Sequence, residues 1–176
     1  IRGLVGSEMC IRDSFIGEDV TFNYTTQYWY KRYFSSLSDV LSFSLAHADK
    51  SLELAAARDS ELSESGLNSD QQFLLAHATR SYYGSTQWLD NGRPVWVVNE
   101  GEYLMINTLD LTVDMLFFEL RYNPWTVRNV LEHFATRYAY YDQIFSPDTP
   151  EHLHEGGLSF THDMGVGNVF SPNKYS

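Results

Sequence analysis

Val97–Thr108, VVNEGEYLMINT, runs directly into Leu109–Tyr122, LDLTVDMLFFELRY. The first stretch is β-prone. The second repeats apolar residues at spacings of three and four, so the hydrophobic period changes from that of a strand to that of a helix at Thr108. Leu109, Val113, Leu116, Phe117 and Leu120 share one face of that helix and are expected to point inward. Thr108 stands at its cap. Asn123-Pro124 reads as the cap and first turn of the next helix, expected to run from Pro124 to about Tyr141 with Val127, Val130, Leu131 and Phe134 inward. Upstream, Thr86–Leu89 and Pro94–Val98 flank Asp90-Asn91-Gly92-Arg93, a hairpin signal because Asn and Gly tolerate positive φ.

The pattern further from this centre is plainer. Thr25 to about Arg58 reads as helical through Tyr28, Tyr30, Tyr33, Leu37, Val40, Leu41, Leu45 and Ala48. Glu61–Asn68 is polar and reads as a loop. Ser69-Asp70-Gln71-Gln72 fits the S-x-x-Q capping box and opens a helix ending near Gly84. Ser146–Gly157 carries prolines and glycines and is expected as a loop. Leu158–Thr161 then forms a short strand entering His162-Asp163-Met164-Gly165. The expected class is mainly α, with a β-hairpin and short strands that hold polar residues at their ends.

The 176 residues are 43% hydrophobic and 15% aromatic, enough for a sizeable core. A formal net charge of −11 argues against a nucleic-acid partner, whose phosphates need cations, and against an anionic membrane surface. A neutral substrate such as a sugar is compatible with it. No window is apolar for long enough to suggest a transmembrane helix, and the first residues lack the apolar centre of a signal peptide. The opening IRGLVGSEMCIRDS does not join smoothly to the aromatic-rich chain after it. LVGSEMCIRDS resembles the in-frame translation of a transposon-based sequencing adapter, so residues 1–14 are read as an artefact and 15–176 as the body of the protein. The sole cysteine, Cys10, lies in that segment. The body therefore offers neither a disulfide framework nor a thiol nucleophile.

Glu100 and Glu102 are the first chemical candidates. At i, i+2 on an extended segment they would face one way, roughly 6 to 7 Å apart. Two such neighbours seldom straddle a glycosidic bond, since the catalytic carboxyls approach a sugar from opposite faces. Spacing alone thus allows at most one to be catalytic, and a solvated acidic turn is the bland alternative. Asp110 and Asp114 follow at i, i+4. Asp110 lies in the first helical turn, where the dipole favours an anion and where a carboxylate can also accept from a sugar hydroxyl. His152 and His154 with His162 and Asp163 invite a metal reading. The first pair lies in an acidic Pro/Gly-rich stretch without a fixed frame, so neither a metal nor a cofactor is expected. His162, at the end of a strand and followed by Asp163, is the better pocket residue. There is no P-loop, no G-x-G-x-x-G and no G-x-S-x-G elbow.

Residues 80–134, RSYYGSTQWLDNGRPVWVVNEGEYLMINTLDLTVDMLFFELRYNPWTVRNVLEHF, and residues 159–171, SFTHDMGVGNVFS, resemble glycoside hydrolase family 52, the β-xylosidases. AHATRSYYG (76–84) belongs to the same match. The resemblance implies a retaining, exo-acting enzyme that removes xylose from xylo-oligosaccharides. It implies an (α/α)6 barrel, of which residues 15–176 would be the opening part, truncated at both ends. The first glutamate of NEGEY, Glu100, would be the nucleophile. A similar E-G-x-E-Y…N-T-x-D pattern in the β-glucosidases of family 116 suggests sugar contacts for Asp110 and His162, with Asn107 and Asp163 beside them as substrate-binding residues. Asn99, Tyr103 and Asn107 are possible hydrogen-bond donors to Glu100. The family's acid/base aspartate would lie beyond Ser176, so the 176-residue chain alone is expected to be inactive. The expected partner is a xylo-oligosaccharide or aryl β-xyloside, with a homodimer in the full-length enzyme and a cytoplasmic bacterial location. A β-glucosidase on a related barrel and a non-catalytic helical carbohydrate-binding or scaffold domain are the competing readings.

Overall fold

The computed structural model describes residues 26–101, 104–146, 148–167 and 169–171. The assignment of residues 1–14, and the roles considered for Glu102 and Tyr103, fall outside them. Among the described residues, one compact unit holds 27–86 and a second holds Thr26 with 87–171.

The first unit opens with strand β1 (Gln27–Tyr28) and a 3₁₀ turn (Trp29–Arg32). Helices α1 (Leu37–Ala46), α2 (Ala48–Ser63) and α3 (Ser69–Gly84) follow. The single helix expected from Thr25 to about Arg58 is therefore divided. Ser35 and Ser36 prefer a cap to a helix interior. Ser36 Oγ accepts from the Asp39 amide at 3.1 Å, and the Ser35 hydroxyl and amide donate to the Asp39 carboxylate at 2.6 and 3.1 Å. The hydrogen bonds from Ser35 and then Ser36 hold Asp39 below the usual carboxylate range. His47 leaves helical geometry (φ −113°, ψ 12°) and separates α1 from α2.

The capping box of α3 starts one residue earlier than the sequence pattern suggests. Asn68 Oδ1 accepts from the Gln71 amide and Gln71 Oε1 accepts from the Asn68 amide, both at 3.0 Å. Asn and Ser are near-equal caps, so either register satisfies the local rule. None of the three helices buries a residue, and Leu45, Leu52, Phe73 and Leu74 are all exposed.

The second unit is built on β2 (Thr86–Asp90), β3 (Pro94–Glu100) and β4 (Met105–Ile106), neighbours in that order. Asp90 Oδ1 accepts from the Gly92 amide at 2.8 Å, and Gly92 takes φ +93°, so the first hairpin forms where Asp-Asn-Gly-Arg predicts it. β3 and β4 are antiparallel, with Asn99 opposite Ile106 and Glu100 opposite Met105. Helices α4 (Leu109–Tyr122) and α5 (Pro124–Arg137) come next. They are followed by the antiparallel pairs β5 (Ala139–Phe145) with β6 (Leu153–Phe160) and β7 (Gly165–Val166) with β8 (Val169–Phe170).

The core gathers Leu89, Val95, Trp96, Val97, Ile106, Val130, Phe134, Tyr138, Met164 and Phe170. Val95, Trp96 and Val97 are buried in succession, so β3 is covered on both faces. Each fully buried side chain of this size stabilises the fold by about 1.5–3 kcal/mol. Helix α5 is tied to β3 by Asn129, whose Oδ1 accepts from the Trp96 amide at 2.8 Å and whose Nδ2 donates to the Pro94 carbonyl at 2.7 Å. Trp125 packs against Trp88 and Trp96 with ring centroids 5.2 and 5.6 Å apart.

Some expectations are corrected by this packing. Helix α4 spans the expected residues, but Val113, Phe117 and Leu120 are exposed and its buried residue is Glu119. The Thr126 hydroxyl donates to Glu119 Oε2 at 2.6 Å, which joins α4 to α5 through a polar contact. Helix α5 stops at Arg137 rather than Tyr141, and buries Thr126, Val130 and Phe134. The run Ala139–Phe145 is strand, because its aromatic and β-branched residues pair with β6. β6 in turn begins inside the expected loop. Gly156 permits this. A Cβ there would meet the Asp142 carbonyl oxygen at 2.8 Å, beside the register shift between Tyr141 and Gln143. Among the described residues the helices form no closed barrel, and no helix is long and apolar enough to cross a membrane.

Candidate functional site

Glu100 is the last residue of β3 and is exposed. Beyond it the chain turns: Gly101 has φ +53° and Leu104 φ +50°. The strand therefore ends at Glu100. Its Oε2 accepts a hydrogen bond from the Thr108 hydroxyl at 2.7 Å. Its Oε1 has no hydrogen-bond partner among the described residues.

Asn107 lies beneath this turn, almost wholly buried, with φ +48°. Asn is among the few side chains that tolerate that region. Its Oδ1 accepts from the Val98 amide at 2.7 Å, and its Nδ2 donates to the Trp96 carbonyl at 3.0 Å and approaches Met164 Sδ at 3.4 Å. The amide expected to face Glu100 is thus spent on the strand backbone. Asn99, the other described donor considered for Glu100, is also buried, and its Oδ1 lacks a partner among the described residues.

The segment 161–167 is stitched along 104–109. Leu109 donates its amide to the His162 carbonyl at 2.8 Å, Met164 donates to Ile106 at 2.8 Å, and Gly167 donates to Leu104 at 3.2 Å. These bonds carry His162 to the start of α4, where Asp110 lies exposed in the first turn. His162 is half-exposed. Its Nδ1 lies 3.1 Å from Asp163 Oδ2. An imidazole that donates through Nδ1 to a carboxylate is fixed in one tautomer and orientation. Asp163 is fully buried, and its Oδ1 accepts from the Gly165 amide at 2.8 Å. A carboxylate placed there reaches a ligand through His162 rather than directly.

Gly165 shapes this corner. It takes φ +137°, and a Cβ on it would collide with the Val169 carbonyl oxygen, with the Ser171 amide nitrogen only 2.8 Å away. The Met164 carbonyl accepts from the Ser171 amide at 2.9 Å and from the Tyr138 hydroxyl at 3.2 Å, which anchors the corner to the core.

The residues singled out in the sequence thus fall on two adjoining segments. Glu100, Asn107 and Asp110 are on one, and His162 and Asp163 on the other. His152 and His154 do not join them. His154 sits in β6 with its Nε2 3.0 Å from the Thr149 hydroxyl. No group of three His, Cys, Asp or Glu among the described residues is arranged to hold a metal. The residue that sequence reading missed is Thr108. Its helix-cap position masked it, and only the side-chain direction reveals the contact with Glu100. The arrangement offers an exposed carboxylate with one oxygen held, and, on the adjoining segment, a carboxylate-oriented imidazole.

The sequence profile of glycosyl hydrolase family 52 matches residues 12–176. One relative, a β-xylosidase of Geobacillus stearothermophilus, is 50% identical over 151 residues, 85% of this chain and 24% of that protein. A second β-xylosidase of the same organism is 48% identical over 161 residues, 91% of this chain and 23% of that protein. The chain therefore spans about a quarter of the length of these relatives.

Proposed function

The chain belongs to glycosyl hydrolase family 52, and from that premise we propose that it carries the nucleophile of a retaining exo-β-xylosidase acting on xylo-oligosaccharides. Glu100 attacks the anomeric carbon through its open oxygen and forms a glycosyl-enzyme. An aspartic acid from a later part of the family's barrel protonates the leaving oxygen, then takes the proton of the attacking water. Asp110 and His162 bind sugar hydroxyls at the same mouth. Asp163 holds His162, and Asn107 holds the turn that bears Glu100. The enzyme is a cytoplasmic homodimer in its full-length form.

The observation that carries the reading is the state of Glu100: a strand-end carboxylate, exposed, with Oε2 held by a hydroxyl. The names of the relatives supply the substrate class. On this reading α1–α5 are helices from the opening part of an (α/α)6 barrel. The exposed stripe of Val113, Phe117 and Leu120 on α4 is what such a helix offers a neighbour.

The test uses a full-length protein carrying this segment. Glu100→Ala is expected to lower hydrolysis of an aryl β-xyloside by roughly 10⁴-fold or more. Azide restores turnover and yields the α-xylosyl azide, because a small anion then attacks in place of the missing carboxylate. Full activity in the variant would overturn the assignment. Parallel assays on aryl β-glucosides separate the substrate class from the related β-glucosidase reading.

A further inference from the structure

We propose that Thr108 is a positioning residue for Glu100, holding Oε2 so that Oε1 is the oxygen presented to the sugar. The proposal rests on the reading of Glu100 as nucleophile and adds a residue whose place in the sequence suggests a different task. Thr108 is the N-cap of α4, where a threonine oxygen ordinarily accepts from a first-turn amide. It makes no such bond. The Leu109 amide, at the first helical position and so not one that the Thr108 side chain would cap, donates to the His162 carbonyl. The Thr108 side chain faces the strand end rather than its own helix, and its hydroxyl donates to Glu100 at 2.7 Å. A threonine has one O–H, so this donation is the only one it can make.

The donor is rigidly delivered. Thr108 is buried, with 3% of its surface exposed, so solvent does not compete for the hydroxyl. Its branched side chain has few χ1 choices. Its carbonyl accepts from both the Thr112 amide and the Thr112 hydroxyl at 2.9 Å, which fixes it to the first turn of α4. Glu100 has none of these restraints. It is exposed and stands beside a glycine at φ +53°. Without a partner its carboxylate would sample several rotamers, few of them aimed at an anomeric carbon. A hydroxyl that touches the nucleophile and not the sugar acts on the attack step rather than on ground-state binding.

The test compares Thr108→Val, which keeps the shape and loses the O–H, with Thr108→Ser, which keeps the O–H, in a full-length protein carrying this segment. Thr108→Val is expected to lower kcat for glycosylation of an aryl β-xyloside by about 10- to 100-fold. Inhibition by xylose stays within about twofold of wild type, because ground-state binding is untouched. Thr108→Ser recovers most of the rate, and all three proteins melt within about 3 °C of one another. Thr108→Ala gives the same comparison should the valine variant not fold.

Wild-type rates in Thr108→Val would overturn the proposal. So would equal losses in the serine and valine variants, or a rate loss that follows the melting temperature. Glu100→Ala with azide is run alongside. If that variant is inert and rescued while Thr108→Val is fully active, only the role of Thr108 falls. If Glu100→Ala is active, the nucleophile assignment falls first.

Discussion

Val98 and Asn107 exchange two hydrogen bonds. The Asn107 amide donates to the Val98 carbonyl at 2.9 Å, and the Val98 amide donates to Asn107 Oδ1 at 2.7 Å. The Asn107 side chain also donates to the Trp96 carbonyl. One buried side chain thus satisfies the strand that ends in Glu100, at the point where the chain returns from the turn. The exposed carboxylate is held in place from the interior.

Asn107→Ala should therefore be costly. It removes the side-chain hydrogen bonds to the Trp96 carbonyl and the Val98 amide, at about 1–3 kcal/mol for each. It also puts a Cβ-bearing residue at φ +48° without the local hydrogen bond that lets asparagine tolerate it. Urea unfolding should show a loss of roughly 2–5 kcal/mol. Asn107→Gly should recover about 1 kcal/mol of that, since it relieves only the backbone strain. Equal losses in the two variants would mean that strain contributes nothing.

Gly165 and Gly167 make a matched comparison. Both have positive φ, but a Cβ on Gly165 meets backbone while one on Gly167 meets nothing within 4 Å. Gly167→Ala should cost about 1 kcal/mol from strain alone. Gly165→Ala should cost roughly 3 kcal/mol or more, because β8 must move away. Similar melting temperatures for the two variants would contradict the packing described for this corner.

Asp163→Asn tests how His162 is oriented. The amide keeps an oxygen for the Gly165 amide and turns an N–H donor toward His162 Nδ1. The imidazole must then carry its proton on Nε2. Nitrogen NMR of the histidine ring should show Nδ1 changing from protonated to bare, with a stability loss of about 1–3 kcal/mol from the buried hydrogen bonds. An unchanged tautomer would show that Asp163 does not set it.

His133 gives the fold a sensitivity to acid. Burial, and the Arg137 charge after it, push its pKa below the usual histidine range, against a smaller opposing effect of Glu132. A depressed folded value means the unfolded chain binds the proton more readily. Stability is therefore complete above about pH 6.5 and is lost as pH falls from there through the folded value. Melting temperatures at pH 7.5 and pH 5 should differ more for the wild type than for His133→Gln. An identical difference would assign the acid sensitivity to other groups.

Local signals were legible where local chemistry decides. The Asp-Asn-Gly-Arg hairpin, the start of α4 after Thr108 and the proline start of α5 all stand where turn and cap rules put them. The long helix assigned to Thr25–Arg58 failed because apolar spacing continues across Ser35-Ser36 and His47, where caps interrupt the backbone. The loop assigned to Ser146–Gly157 failed for the opposite reason. Its Gly156 is required by a close approach to Asp142, which no local rule reveals. On α4 the apolar period found the helix but not its buried side, since Glu119 is covered and Phe117 is exposed.

The sequence by itself determined the change from strand to helix at Thr108 and the carboxylate that precedes it, and its motifs determined the family. Periodicity and short motifs carry that information because they depend on neighbours along the chain. Only the tertiary structure decided that Thr108 turns its hydroxyl to Glu100 rather than to its own helix, that Asn107 is spent on the strand backbone, and that Asp163 faces His162 from a fully buried position. A side chain with one donor or two acceptors has several legal partners. Which one it takes is set by the segment folded against it, here 161–167 along 104–109.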